Sequence, residues 1–388
     1  MVGLTGHRSG YKSRNGLPLL LVTELISVRI IHLVNHCDHG HGNAHVAIDL
    51  ACMQAQNGHD VIYASRGGDY LELFAKYGVR HELIVQNSRN ALQLLGSLLR
   101  LQRLCLSFRP DILHGHMMAG AVFGYFTSLV GRAPLVTTVH NSFDKHSILM
   151  RLGDHVVAVS EAERQSLLKS GYKAARLSVV INGPNHTPRD KFFENSITDA
   201  LEIKKPCVVT VCGLHKRKGV NDLIRGFSEA AVLLPDWRLY VVGQGPDRQL
   251  LVDLVAELGV ANKVFFLGSV GNPAEILLQS DIFVLASYAD PCSLAIGEAR
   301  EAGCAIVATA VDGTPELLDF GEAGRLVEPG SPKQIAAELR QLMEDPTTLR
   351  DWRARSLRGS EYFRVARVAR DYEQIYSSVI SKYQGLPG

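Results

Sequence analysis

The sequence predicts an α/β protein of two doubly wound, Rossmann-like domains that face each other across a cleft. Short apolar runs alternate with helical patterns almost throughout the 388 residues, as expected for successive βαβ units. This alternation breaks once, over residues 183–206, where turn-forming residues dominate. The length is also about two to three times the commonest domain size, which favours two domains.

The first domain is predicted over residues 28–185. Its first strand, Val28–Asn35, is followed by a turn at His39–Asn43 and a helix over 44–57. Later strands are expected at 61–65, 111–116, 134–140, 155–160 and 177–182. Ligands of doubly wound sheets bind beyond the carboxyl ends of the strands, so residues at those ends are the candidates for function.

The second domain is predicted over residues 186–360. Its strands are expected at 207–212, 238–242, 263–267, 282–286, 305–309 and 325–327. The pattern from Glu361 to Tyr383 is helical, because its apolar residues are three to four positions apart. Residues 1–27 are expected to form a loose N-terminal extension.

Composition excludes several classes of protein. The formal net charge is only +2, from 41 basic and 39 acidic residues, so no nucleic-acid partner is expected. The seven cysteines contain no C-x-x-C pair, which argues against a disulfide framework or a zinc finger. The most apolar stretch, Leu17–Val34, contains charged residues and is not expected to span a membrane. A cytoplasmic protein is therefore predicted.

The most informative segment is the loop and helix that follow strand 282–286. Asp290 lies in the loop, and Glu298 is expected in the second turn of a helix that starts near Ser293. The first amides of this helix have no intrahelical acceptors, and they belong to Ser293, Leu294 and Ala295. Such a helix start can bind an anion. From spacing alone, a loop cap at Asp290 and a solvated Glu298 are equally supported.

These residues, with other segments in the same order, resemble the retaining glycosyltransferases of family 4, which have the GT-B fold. The other segments are Gly58–Val61, Val159–Glu161, Val180–Gly183, Lys218–Gly219 and Val242–Pro246. The similarity extends from about Val28 to Tyr383. It implies a nucleoside diphosphate sugar as donor, a hydroxyl acceptor and no metal or other cofactor. It also implies that residues 361–388 pack back on the first domain.

The resemblance assigns roles to residues of the second domain. Glu298 matches the family glutamate that binds the ribose, and Asp290 replaces the glutamate beside the donor sugar and diphosphate. Lys218 matches the lysine that neutralises the diphosphate as the glycosidic bond breaks. Gly213 stands where the family has a second cation, an arginine, so Arg217 is expected to substitute for it.

In the first domain the resemblance points to His140 and Gly42. The segment that ends at His140 is similar to the family's Thr-x-His, whose histidine contacts the donor sugar and is catalytic. Gly42 matches a glycine that lets the backbone approach the donor or acceptor. His114 and His116 end the preceding strand and are expected to line the acceptor side.

A metal site is the alternative for neutralising phosphate charge. The chain has no Asp-x-Asp motif, but it has a dense group of possible ligands. These are His36, Asp38, His39, His41 and His45. They span a strand end, a turn and a helix start, so they are not expected to converge on one ion.

The leucine-rich helix over 90–108 has two interpretations. It carries Arg100 and Arg103 among its leucines, a pattern that suits the surface of a membrane that holds a lipid-linked acceptor. Core packing is the favoured reading. Peripheral membrane association, at the inner face of the membrane, therefore stays an alternative.

Together these patterns predict a hexosyl-type retaining transferase, metal-independent, in polysaccharide or glycolipid biosynthesis. A glycan or a lipid-linked glycan is the expected acceptor. Two alternatives remain, a nucleotide-sugar epimerase of the same fold and a non-catalytic subunit that binds nucleotide sugars. A dehydrogenase is disfavoured, because His45 stands in place of the third glycine of the dinucleotide fingerprint.

Overall fold

The structure, a computed structural model, describes residues 27–143, 145–193 and 203–385. Except for Ser27, the predicted N-terminal extension lies outside the described residues, as does part of the predicted break between the domains. Two separate sheets are present, and every pairing between their strands is parallel. The predicted fold class is confirmed.

The first sheet has seven strands in the order β3-β2-β1-β4-β5-β6-β7. These are β1 Arg29–Leu33, β2 Asp60–Ser65, β3 Arg80–Leu83, β4 Ile112–Gly115, β5 Leu135–Val139, β6 His155–Ala158 and β7 Leu177–Val179. The strand order reverses beside β1, which creates a crevice between the carboxyl ends of β1 and β4.

Helices cover both faces of this sheet. They are α1 Gly42–Gln56, α2 Leu71–Tyr77, α3 Ala91–Phe108, α4 Met118–Gly131 and α5 Glu161–Lys169, and a short α6, Asp190–Phe193, follows the last strand. The predicted leucine-rich helix is α3, and it begins where predicted because the Asn90 side chain accepts hydrogen bonds from the amides of Leu92 and Gln93.

The second sheet has six strands in the order β10-β9-β8-β11-β12-β13. The strands are β8 Cys207–Val211, β9 Arg238–Val242, β10 Val264–Gly268, β11 Ile282–Leu285, β12 Ala305–Thr309 and β13 Arg325–Val327. Its helices are α7 Val220–Ala230, α8 Arg248–Glu257, α9 Pro273–Leu278, α10 Leu294–Glu301, α11 Thr314–Leu317, α12 Pro332–Glu344 and α13 Pro346–Leu357. Its switch point lies between β8 and β11, directly below the loop that carries Asp290.

The last helix, α14 (Val365–Tyr383), returns to the first sheet. Its apolar face is buried in the same core as β1 and α1, and this face includes Val368, Tyr372 and Tyr376. The helix starts four residues later than the pattern predicted, because Ser360–Phe363 form a separate 3₁₀ turn.

No helix in the described part of the chain combines the length and the apolar character that crossing a bilayer requires.

Candidate active site

A helix start and two loops meet at the carboxyl edge of the second sheet. Helix α10 begins at Leu294, and the side chain of the preceding residue, Ser293, makes no capping hydrogen bond. The amides of its first turn, including that of Ala295, lack intrahelical acceptors and lie at the positive end of the helix dipole. Such a helix start is suited to bind an anion just beyond β11.

Lys218 and Asp290 form an ion pair beside this helix start. Lys218 Nζ donates to Asp290 Oδ2 over 2.7 Å, and the pair joins the loop after β8 to the loop after β11. The amide of Asp290 donates to Asp312 Oδ2, also at 2.7 Å. The lysine can stay at this place because Gly219, with φ of +61°, turns the chain against the Ala286 carbonyl, where a Cβ would overlap the oxygen.

Arg217 contacts the first domain. Its Nη1 donates to the carbonyl of Ala289 over 2.6 Å, and its guanidinium lies 5.0 Å from the ring centroid of Phe143. Phe143 belongs to the loop that follows β5, three residues after His140. Arg217 is therefore a bridge between the two sides of the cleft as well as a cation near Lys218.

The space expected for a second cation is occupied by a histidine. A Cβ at Gly213 would lie 3.0 Å from His215 Cδ2, so the imidazole ring packs directly over this glycine. His215 is exposed and adjoins the turn that carries Arg217 and Lys218. His215 is not among the site residues predicted from the sequence, where the departure of Gly213 from the family pattern is the only signal for it.

Glu298 lines a cavity of about 220 Å³ with residues from the segment after the first sheet and from α9. Among the described residues no group donates a hydrogen bond to its carboxylate. Burial raises the pKa of Glu298 to about 7, with Asp190 and Asp49 adding to the rise and Arg189 opposing it. A carboxylate without a partner in a cavity is suited to accept hydrogen bonds from ligand hydroxyls.

Arg189 is a cavity residue that the sequence analysis missed. Its Nε lies 2.9 Å from Asp49 Oδ1 and its Nη2 lies 2.8 Å from Asp49 Oδ2, so the guanidinium binds the carboxylate with two bonds. Both side chains are buried, and the pair ties α1 to the chain segment that leaves the first domain. Nothing in the sequence pattern links positions 140 residues apart.

Gly42 lies opposite the α10 helix start. A Cβ on Gly42 would come 3.5 Å from Leu294 Cδ1, so the first residues of α1 and of α10 contact each other across the cleft. A second contact lies nearby, where the amide of Glu161 donates to Glu316 Oε2 over 2.8 Å. The cleft is narrow at both places.

His140 follows β5 and is partly exposed. Its Nε2 lies 3.4 Å from Nδ1 of His116, and the two rings are stacked with centroids 5.7 Å apart. Burial lowers the pKa of His140 to about 4, so the imidazole is neutral at pH 7. It can form a hydrogen bond to a ligand without carrying charge.

His114 does not have the predicted location. It is fully buried, and its two ring nitrogens bond to the Tyr376 hydroxyl at 2.6 Å and to Thr138 Oγ1 at 2.8 Å. The expectation that it lines the acceptor side is therefore wrong, because its side chain faces α14. His116 is also buried, but it reaches His140.

Four of the five possible metal ligands after β1 are held in two separate sets of contacts. His36 lies 3.5 Å from Asp38, which pairs with Arg66, whereas His39 and His45 both contact the Tyr70 hydroxyl. In the described part of the chain, the one group of three ligand residues with atoms within 4.8 Å is His32, His114 and His116. None of the five residues after β1 belongs to that group.

Comparisons with known proteins identify the family. A family model for glycosyl transferases group 1 matches residues 193–358, and one for glycosyltransferase family 4 matches residues 41–187. Together they span most of the chain.

Among curated proteins, the N-acetyl-alpha-D-glucosaminyl L-malate synthase of Bacillus anthracis is 28% identical over 287 residues, which are 70% of this chain and 75% of that protein. The D-inositol 3-phosphate glycosyltransferase of Corynebacterium aurimucosum is 26% identical over 311 residues, 71% of this chain and 74% of that protein.

A solved structure shows the same fold. The crystal structure of Anabaena Alr3699/HepE in complex with UDP and glucose has a TM-score of 0.76 and 20% identity, and the match covers 90% of this chain and all of that one. The two family models, the relatives and the two facing sheets agree with one another. The chain belongs to family 4 of the group 1 glycosyl transferases and is a glycosyltransferase with the GT-B fold.

Proposed function

We propose that the protein transfers a hexosyl group, with retention of anomeric configuration and without a metal, from a nucleoside diphosphate sugar to a hydroxyl of a glycan or lipid-linked acceptor. The observation that carries the proposal is the meeting of Lys218, Asp290 and the α10 helix start at one edge of the second sheet. A lysine beside unpaired amides suits a diphosphate.

The departing diphosphate is stabilised from two sides in this proposal. The amides of Ser293–Ala295 bind oxygens of one phosphate, and Lys218 neutralises charge that develops as the glycosidic bond breaks. An ammonium group has three N–H donors, so Lys218 can keep its bond to Asp290 while it binds phosphate. Arg217 and the neighbouring His215 add donors at the rim.

The rest of the donor is held by neutral and acidic groups. Glu298 accepts hydrogen bonds from the ribose hydroxyls, while Asp290 and His140 orient the sugar. Gly42 leaves room for close approach of the α1 helix start. Asp290 is bound by Lys218, so we assign it to positioning and not to attack on the sugar. In a front-face reaction the leaving phosphate oxygen takes the proton of the acceptor hydroxyl.

A transfer assay tests this function. The first donors are UDP-glucose and UDP-N-acetylglucosamine, since a similar structure contains UDP and glucose and a relative is named for an N-acetylglucosaminyl product. NMR of the product is expected to show the α configuration of the donor, and EDTA is expected to leave the rate within about twofold. A β product, or a rate that only Mg²⁺ or Mn²⁺ restores, would contradict the proposal.

The same assay separates the alternatives. An epimerase converts the donor when no acceptor is present, whereas a non-catalytic subunit binds the donor and forms no product with any acceptor. Either result would overturn the proposed transfer. In a biosynthetic setting we place the reaction in the cytoplasm, where nucleotide sugars are used.

The surface of α3 and α4 supports a lipid-linked acceptor. Half of the α3 leucines pack in the core, but an adjoining apolar surface is exposed. It consists of Leu92, Leu95, Leu99, Leu106, Tyr125, Phe126, Leu129 and Val130. Five arginines accompany it, Arg89, Arg100, Arg103, Arg109 and Arg132, and α3 and α4 contain no acidic residue. We propose that this surface binds anionic lipid.

Vesicle sedimentation tests the lipid contact. The Leu95→Asp/Leu99→Asp variant is expected to bind vesicles of phosphatidylcholine and phosphatidylglycerol at least about tenfold more weakly, because each leucine contributes about 1.5–3 kcal/mol when buried. Leu250→Asp changes a more exposed leucine, on α8 of the second domain, and serves as the control. Equal binding by both variants, or binding that does not depend on phosphatidylglycerol, would contradict the proposal.

A further inference from the structure

A hydrogen-bonded row of histidines lies behind His140 in the first domain. His140 Nε2 lies 3.4 Å from His116 Nδ1, and His116 Nε2 lies 2.9 Å from His32 Nδ1. His32 Nε2 in turn lies 2.8 Å from Oε1 of Gln54, a buried residue of α1. The row connects β5, β4 and β1 to a helix on the face of the sheet.

The three rings are neutral at physiological pH. Burial lowers the pKa of His32 and of His140 to about 4, and burial with neighbouring histidines lowers the pKa of His116 well below its ordinary value. A neutral imidazole has one N–H, so a ring that accepts at one nitrogen must donate at the other. All the hydrogen bonds of the row therefore point in one direction.

Gln54 sets that direction. Its amide oxygen can only accept, so His32 Nε2–H donates to it and His32 Nδ1 must accept from His116 Nε2–H. By the same rule His116 Nδ1 accepts from His140 Nε2–H. The Nδ1 of His140 is then left as an acceptor. If the amide were reversed, every bond would reverse and His140 Nδ1 would carry the proton.

We infer that Gln54, His32 and His116 are positioning residues that hold His140 as its Nε2–H tautomer, so that the Nδ1 lone pair accepts a hydrogen bond from a hydroxyl of the donor sugar. His140 is the member of the row that is partly exposed, whereas His32 and His116 are buried. The identity of the hydroxyl rests on the proposed function, but the tautomer does not.

A metal ion bound to these histidines would break hydrogen bonds of the row. His32, His114 and His116 have ligand atoms within 4.8 Å of one another, but each of their ring nitrogens already has a hydrogen-bond partner. Binding an ion through one nitrogen of each ring would break at least two of these bonds in a buried place. Elemental analysis of the purified protein is therefore expected to find no bound zinc, and one zinc per chain would overturn the inference.

The tautomer is measured directly in the unmodified protein. Long-range ¹H–¹⁵N correlation spectra distinguish the Nε2–H and Nδ1–H forms of a neutral histidine, and loss of a signal in His140→Gln assigns the residue. The Nε2–H form is expected for His140. The Nδ1–H form, or an equal mixture of the two, would overturn the inference without any variant at Gln54.

Two variants connect the tautomer to turnover. Gln54→Met keeps the size of the side chain but removes the acceptor, so His140 is expected to populate both tautomers and kcat to fall roughly tenfold, as when one hydrogen bond in the transition state is weakened. Tyr372→Phe is the control, because it removes a hydroxyl that bonds Thr138 in the same core without touching the row. Equal effects of both variants on kcat would overturn the inference.

Failure of this inference and failure of the proposed function give different results. If the protein transfers no sugar but His140 is the Nε2–H form, the proposed function is wrong and the inference about the tautomer of His140 is confirmed. If transfer occurs while His140 Nδ1 carries the proton, the inference about the tautomer is wrong and the proposed function is confirmed.

Discussion

The two sides of the cleft differ in the charge of the side chains that they carry. On the second domain, Lys218 and Asp290 are formally charged and lie on loops beside a helix start. On the first domain, the buried His116 and the partly exposed His140 are neutral rings joined by a hydrogen bond. Charge on one side suits a diphosphate, and neutral directional groups on the other suit a sugar.

The two sides also differ in whether the charge of a candidate site residue changes with pH near neutrality. Burial lowers the pKa of His140 to about 4, so this ring does not change charge near neutrality. Glu298 in the second domain has its pKa raised to about 7 and does change. Of these two groups, only Glu298 is therefore expected to make ligand binding depend on pH near neutrality.

The largest expected effect is on kcat, and it comes from removing the positive charge of Lys218 in the second domain. Lys218→Ala is expected to lower kcat by about 10²–10³-fold, because a cation at the developing charge is lost. Lys216→Ala is the matched control, since this residue is exposed in the same turn, and it should retain the rate within about twofold. Initial rates of transfer measure both, and a loss below tenfold for Lys218→Ala would contradict its assignment.

The next effect is on affinity. As the pH falls from 8 to 6, Glu298 gains a proton and becomes a poorer acceptor, so the Kd of a nucleoside diphosphate sugar is expected to rise about tenfold. Calorimetric titration measures it, and the diphosphate diester itself does not titrate in this range. Glu298→Gln should remove the dependence on pH. The same dependence in the variant would show that another group is responsible.

The smallest effect is on stability without ligand. The folded pKa of Glu298 lies above the ordinary value of 4.5, so between about pH 4.5 and 7 the folded chain binds more protons than the unfolded chain, and stability falls as the pH rises through this window. Glu298→Gln removes the loss of stability that ionisation of this buried carboxyl causes. Its Tm is expected to exceed that of the unmodified protein by about 2–4 °C at pH 8 and by less at pH 5.5.

Differential scanning fluorimetry measures the shift. Glu257→Gln, at the exposed end of α8, is the control and should leave Tm unchanged at both pH values. A shift of equal size at pH 8 and pH 5.5 would show that the buried carboxyl of Glu298 does not titrate as expected.

The sequence predicted buried strands better than exposed ones. Strands β9 and β12 have the predicted bounds, since each is a short and mostly apolar run between turns. Strand β3 was missed because Arg80–Leu83 is an edge strand with mostly polar residues and no fully buried one. Period and apolar character cannot detect such a strand, which forms because β2 offers it a partner.

In the candidate site, the sequence could predict that residues which follow adjacent parallel strands lie close together. Lys218 and Asp290 follow adjacent strands, β8 and β11, and they do meet. It could not predict the side to which His114 points, because that depends on strand register. His32 and His114 are register partners and share one face of the sheet, which only the pairing of β1 with β4 reveals.

The return of α14 to the first sheet has a consequence for synthesis on the ribosome. Tyr372 and Tyr376 cover the histidine-bearing face of the first sheet, but roughly 200 residues must be translated after β7 before they emerge. At about 5–20 residues per second this takes about 10–40 s. During that interval α14 is absent from the first domain. The histidine-bearing face of the first sheet therefore stays exposed to water until α14 has been synthesised.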